Sequence, residues 1–239
     1  GSGANLTGIP ALTGSTNNEV VTVTGANAIQ GETKLTFSGA LLDFAINNNA
    51  QGFRIGATGN HYPIFEFDVN RSAAGNNCGQ FDFKWDGTGI ARIATLTGDD
   101  TTNKDNGSLA FMTSTAGTLA EALRIDPDAR LLVGSTSSEA MFYTGRIQVQ
   151  GTNSSTSAIT VKSNQSDSGG PAIVLGKSRG TSAGAVTAVQ DGDELGTIHF
   201  AGADGTDTNS RGAAIRCQVD GTPGSNDIPG RLTFLTTAD

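Results

Sequence analysis

The chain has 239 residues; Gly (33), Thr (30), Ser (19) and Asn (17) supply 99 of them, against 36% hydrophobic and 16% charged residues. No apolar stretch approaches the ~20 residues a bilayer span needs, so no membrane insertion is expected; Gly and Thr argue against a helical bundle, and recurring short runs of Phe, Ile, Leu and Val argue against disorder. The net charge of −8, without basic clusters, makes nucleic acid an unsuitable partner, since that affinity rests on Lys and Arg neutralising phosphates.

Gly1-Ser2-Gly3 reads as an expression scar and residues 1–12 as scar plus linker, with no signal-peptide pattern after it. From there period two dominates. Phe65, Phe67 and Val69 alternate with Glu66 and Asp68, predicting a strand. Phe81, Phe83 and Trp85 alternate with Asp82 and Lys84 and predict another. In both, the large apolar residues are expected on the core face and the carboxylates in solvent. TGDDTTNKDNGS (97–108) reads as a loop, and GTLAEALRI (117–125) fits a short helix or a strand equally well. Leu123 and Ile125 lead into Asp126-Pro127-Asp128-Ala129, whose Pro presets φ for a turn; Leu131 and Val133 lead out, completing a predicted hairpin. Ile147 and Val149, AIVLG (172–176), and Ile198 and Phe200 around His199 mark further strands, with ADGTDTNSRG (203–212) as a loop. Ile215, Cys217 and Val219 alternate, so Cys217 is expected to point into a core as a small hydrophobe. Cys78 and Cys217 are too few for a disulfide framework or a four-ligand zinc site. The expected class is all-β, and a chain this poor in apolar residues is expected to complete its core with other copies of itself.

The pattern is written twice. GSTNNEVVTVTG (14–25) matches GSTSSEAMFYTG (134–145), and FRIG (53–56) matches IVLG (173–176), both at an offset of 120. GQFDF (79–83) matches GTIHF (196–200) at 117, and GSLAFMTS (107–114) matches GRLTFLTT (230–237) at 123. The order is preserved, so the expected organisation is a first β repeat over 13–132 and a second, truncated one over 133–239. Asp239 answers to about Ala116, so the sequence reads as cut inside a repeat.

Four constellations could carry chemistry. Asp167-Ser168-Gly169-Gly170-Pro171 resembles the nucleophile motif of chymotrypsin-like proteases, but His61 lies in GNHYP, outside that family's context. A Gly-Gly turn is the expected role. Asp99, Asp100, Asn103 and Asp105, and separately Asp204, Asp207 and Asn209, cluster oxygens without EF-hand spacing; Asx turns account for them, and no metal or cofactor is expected. Glu66, Asp68, Asp82 and Asp86 are candidate paired carboxylates for glycoside hydrolysis, with a solvated face as the simpler reading. His61, Tyr62 and Trp85, with Phe65, form the richest aromatic neighbourhood. Aromatic faces stack on sugar rings, which makes His61, Tyr62 and Trp85 the candidate glycan-binding residues.

LGKSRGTSAGAV (175–186), GDELGTIHFAGADGTD (192–207) and RGAAIRCQVDGTPGSNDIPGRLTFLTTAD (211–239) resemble a repeat of bacteriophage tail-fibre proteins, notably those of marine phages and prophages. GSLAFMTSTAGTLAEALRIDPDARLLVGSTSS (107–138) is a looser form of it, NLTGIPA (5–11) is similar to a linker that opens such units, and HYPIFEFDVN (61–70) departs from the pattern. The resemblance implies an elongated, interwoven homotrimeric β-fibre built from two ~120-residue repeats. It implies a virion component, structural and adhesive rather than enzymatic, whose partners are its own copies, other tail-fibre segments and a host cell-surface glycan or protein. Fibres of this kind often carry a self-cleaving C-terminal chaperone; none is expected within these residues. The alternatives are a tailspike-type polysaccharide depolymerase, disfavoured by the long period and few aromatics, and a bacterial surface adhesin.

Overall fold

The computed structural model describes residues 19–25, 28–37, 42–44 and 53–238; the expected scar and linker (1–12) and the start of the first repeat lie outside them. The chain forms two compact units, Gly1–Glu66 and Phe67–Asp239. In the first, β1 (Glu19–Gly25), β2 (Ala28–Phe37) and β3 (Leu42–Phe44) make an antiparallel sheet in chain order.

The second unit carries two sheets. Six strands stand in chain order: β4 (Asn77–Trp85), β5 (Thr88–Thr97), β6 (Gly107–Thr115), β7 (Thr118–Ile125), β8 (Leu131–Val133) and β9 (Ile147–Val149), all antiparallel except the β8–β9 pair. Three more, β10 (Glu194–Gly202), β11 (Ser210–Val219) and β12 (Gly230–Thr236), form an antiparallel meander. No described residue is helical, so 117–125 resolves to a strand. Its helix-forming Leu, Ala and Glu are overruled by pairing with β6, where Phe111 faces Leu123 and Leu109 faces Ile125. The Asp126 turn closes the expected hairpin, setting Ile125 opposite Leu131 and Leu123 opposite Val133.

The turns follow their residues. Asp86 and Gly87 both take positive φ (47° and 79°), the geometry of a tight hairpin that matches strand twist. Ala116 and Gly117 (51° and 81°) do the same between β6 and β7. The β4–β5–β6 and β10–β11–β12 meanders also share a bulge before a glycine, at Gly79 and Gly196. A Cβ on Gly79 would lie 2.6 Å from the Phe67 ring, and one on Gly196 would lie 2.7 Å from Leu175. Only glycine admits so close an apolar side chain.

Two sequence expectations fail here. Residues 65–69 and 172–176 run outside the sheets. Phe81, Phe83 and Trp85 were expected against a core, yet Phe81 is 52% and Trp85 74% exposed. The described hydrophobic residues that are buried are mostly small: Ala94, Ala110, Leu132, Val189, Ala214 and Val219. Ala94, Ala110 and Leu132 line one face of the six-stranded sheet, in the row that runs Gln80, Ala94, Ala110, Arg124, Leu132, Gln148. Phe81, Ile93, Phe111, Leu123 and Val133 belong to the opposite face. The face that the carboxylate pattern marked as outward is therefore the one this chain packs. The meander of β10–β12 repeats the contrast, with Ala214 buried while Ile198, Phe200, Leu232 and Phe234 stand open on the other side.

Candidate functional site

The three aromatic candidates do not form one site within a unit. His61 and Tyr62 belong to the first unit, Tyr62 being 82% exposed, and Trp85 belongs to the second. Trp85 ends β4 at the tight turn and lines a shallow hollow with Asp86, Thr88 and Ile90. An open indole can stack on a flat apolar face, and the carboxylate beside it can accept a hydrogen bond from a hydroxyl.

Of the four carboxylate candidates, Asp82 is committed elsewhere. Asp82 is bound by Arg92 (Nε to Oδ1, 2.6 Å) and by Gln80, and the Arg92 hydrogen bond holds its carboxyl below the ordinary range. Asp167 accepts the Gly169 N–H at 2.9 Å, which makes the Ser168 motif a bend. In the 203–212 loop Asp204 accepts the Thr206 and Asp207 amides and the Ser210 hydroxyl.

The 98–106 loop builds something the sequence did not announce. Asp100 Oδ1 accepts the amides of Thr102 (3.0 Å) and Asn103 (2.9 Å), and Oδ2 accepts Asn103 Nδ2 (2.8 Å). Those Asn103 bonds, backbone first, keep its carboxyl ionised to lower pH than usual. Asn106 Nδ2 donates to Asp99 Oδ1 (2.8 Å), and its backbone carbonyl accepts the Gly98 amide (3.0 Å). The loop is thus braced from within. Lys104 Nζ ties it to the segment before β4 by donating to Asn70 Oδ1; beside it, Thr97 Oγ1 at the end of β5 donates to the Ala73 carbonyl (2.7 Å), and Arg71 Nε to the Asn77 carbonyl at the start of β4 (3.0 Å).

Between loop, segment and strand ends lies a cavity of ≈ 350 Å³. Val69, Ala73, Cys78, Leu96 and Leu109 give it apolar walls, while Arg71, Lys104, Asp100 and Asn106 bring polar groups. A second, more polar cavity of ≈ 490 Å³ shares Thr97, Gly98, Asn106 and Ser108 with the first. Of its charged groups, Arg124 pairs with Glu121 and Arg130 with Asp126 and Asp128, while the Asp99 carboxylate accepts from Asn106. No group of three metal-ligating side chains occurs among the described residues. Sequence reasoning missed Arg71 and Lys104, which are distant in the chain and carry no spacing signal.

No protein-family model and no curated protein sequence matches the chain. Among solved structures, it is similar to the carboxy-terminal domain of the bacteriophage T5 L-shaped tail fibre with its intra-molecular chaperone domain, at TM-score 0.66 and 16% identity over 79% of this chain. The chain spans 57% of that structure's length. A structure of the same carboxy-terminal domain gives TM-score 0.58 and 16% identity, covering 79% of this chain and 83% of that one. The fold is that of a bacteriophage tail-fibre domain.

Proposed function

We propose that the chain is a structural and adhesive segment of a phage tail fibre that works as a homotrimer on the virion and attaches it to host-surface receptors, glycans foremost. The observation that carries this reading is the open apolar surface of the second unit. On the β10–β12 meander alone, Ile198, Phe200, Leu232 and Phe234 are all more than half exposed on one face. Each such side chain gains ~1.5–3 kcal/mol when buried, so a lone chain forgoes a large part of its stabilisation. A continuous apolar face of this kind marks a contact surface.

The extended segments support the same reading. Residues 158–162 and 171–176 take no part in backbone hydrogen bonds among the described residues, although their Ile159, Val161, Ile173 and Val174 favour strands. Strands from neighbouring copies would satisfy these groups and cover the side chains together. The shared glycine bulges of the two meanders, 117 residues apart, are what a duplicated unit would carry.

The test is the mass in solution by light scattering after size exclusion. The expected value is three times 24.3 kDa; a compact monomer at the same concentration overturns the homotrimer. Labelling of bacterial cells by the fluorescent protein tests adhesion separately.

A further inference from the structure

We propose that the ≈ 350 Å³ cavity beside the 98–106 loop binds an acidic sugar, a hexuronate-type unit of a surface polysaccharide, with Arg71 and Lys104 holding its carboxylate. The inference rests on the adhesive reading above and gives that adhesion a ligand chemistry and a place.

Charge carries the first half. Arg92, Arg124, Arg130, Arg179, Arg216 and Arg231 each sit in an ion pair. Arg71 and Lys104, like Lys162 and Arg211, pair with no carboxylate among the described residues, but these two line one cavity of an acidic chain. Each makes a hydrogen bond to a neutral oxygen, of Asn77 and of Asn70, which positions it and leaves its charge uncompensated. Asp100 is the one carboxylate lining the cavity, and its oxygens already accept from Thr102 and Asn103. The net character of the rim is cationic.

Shape and polarity carry the second half. A cavity near the small end of the ~300–1,000 Å³ range of ligand pockets suits a single ring. Val69, Leu96 and Leu109 offer it an apolar wall, which a pyranose meets with its C–H face. The internally bonded loop is ordered beforehand, so little conformational freedom is lost on binding.

The experiment is an NMR titration of the full chain with sodium glucuronate, with glucose and acetate as controls. Glucuronate should bind, and weaken by about tenfold in Arg71→Ala and again in Lys104→Ala, as loss of a charge-assisted hydrogen bond predicts. Ala73→Trp, which fills the cavity without touching charge, should abolish binding, and Lys162→Ala should leave it unchanged. Acetate binding as tightly as glucuronate, or glucuronate binding unaffected by Arg71→Ala and Ala73→Trp, overturns the site. So does a change of oligomer mass in Ala73→Trp without any glucuronate binding by the parent, which would make a neighbouring copy the occupant. Cells labelled by a protein that binds no glucuronate sink the cavity and leave adhesion standing; glucuronate bound by a protein that labels no cells sinks adhesion instead.

Discussion

Asp126 illustrates how far one side chain determines local structure in this chain. Its Oδ1 accepts the amides of Asp128 and Arg130, and its Oδ2 accepts Arg130 Nε at 2.7 Å. Burial opposes its ionisation, but the Arg130 amide and guanidinium outweigh that and hold its carboxyl below the ordinary range. Asp126→Ala removes these bonds from a buried side chain at the head of an exposed turn and should cost ~2 kcal/mol, read as a lower urea midpoint. Asp82, Asp100, Asp193 and Asp204 are depressed likewise, Asp193 most of all, through the two 2.7 Å bonds from Arg179. Groups depressed in the folded state stabilise it fully above their unfolded pKa of ~3.9, and that contribution is lost as pH falls through the folded values. Stability should therefore be flat between pH 5 and 7, to within its other titrations, and fall below about pH 4. A fall centred near pH 6 in a fluorescence melt would contradict this. Ser168→Ala should change neither stability nor assembly, because the bend is made by Asp167 and Gly169.

Strands and turns obey local chemistry wherever the chain can pair with itself. Ala116 occupies a left-handed position that Asn or Gly would hold at less strain. Ala116→Asn should raise stability by ~0.5–1 kcal/mol, visible as a higher thermal midpoint. Gly196→Val tests the close approach of Leu175; a branched side chain there must displace it, at ~1–3 kcal/mol. Proteolysis should then nick the 172–177 segment faster than in the parent. These elements were largely legible: the Pro turn, the 198–200 and 215–219 alternation and the 97–108 loop appear where the residues put them. The 65–69 and 172–176 runs show the limit. Alternation states that a segment is fit for a sheet, and only the presence of a free edge makes it a strand.

The assembled molecule decides what happens to the open faces. Ile198→Asp or Phe200→Asp places an unpaired charge where the homotrimer would bury it, a substitution that should abolish assembly. Light scattering should then return 24.3 kDa in place of three times that value. An unchanged mass would move the contact off the β10–β12 face. Period two, the turns and the duplicated phrases followed from the residues alone, because backbone pleating and φ preferences are local. Which face is inner did not follow. Alternation is symmetric between the two sides of a sheet, and the side with the larger hydrophobes is the natural guess for the core. Here the chain buries Ala94, Ala110 and Ala214 and leaves Trp85 and Phe234 mostly exposed. The cavity was equally hidden, since Arg71 and Lys104 meet only after the 98–106 loop folds back on the segment before β4. Local preference writes the strands; closure over distance, which no short-range pattern encodes, chooses their inner side and gathers the groups that could hold a ligand.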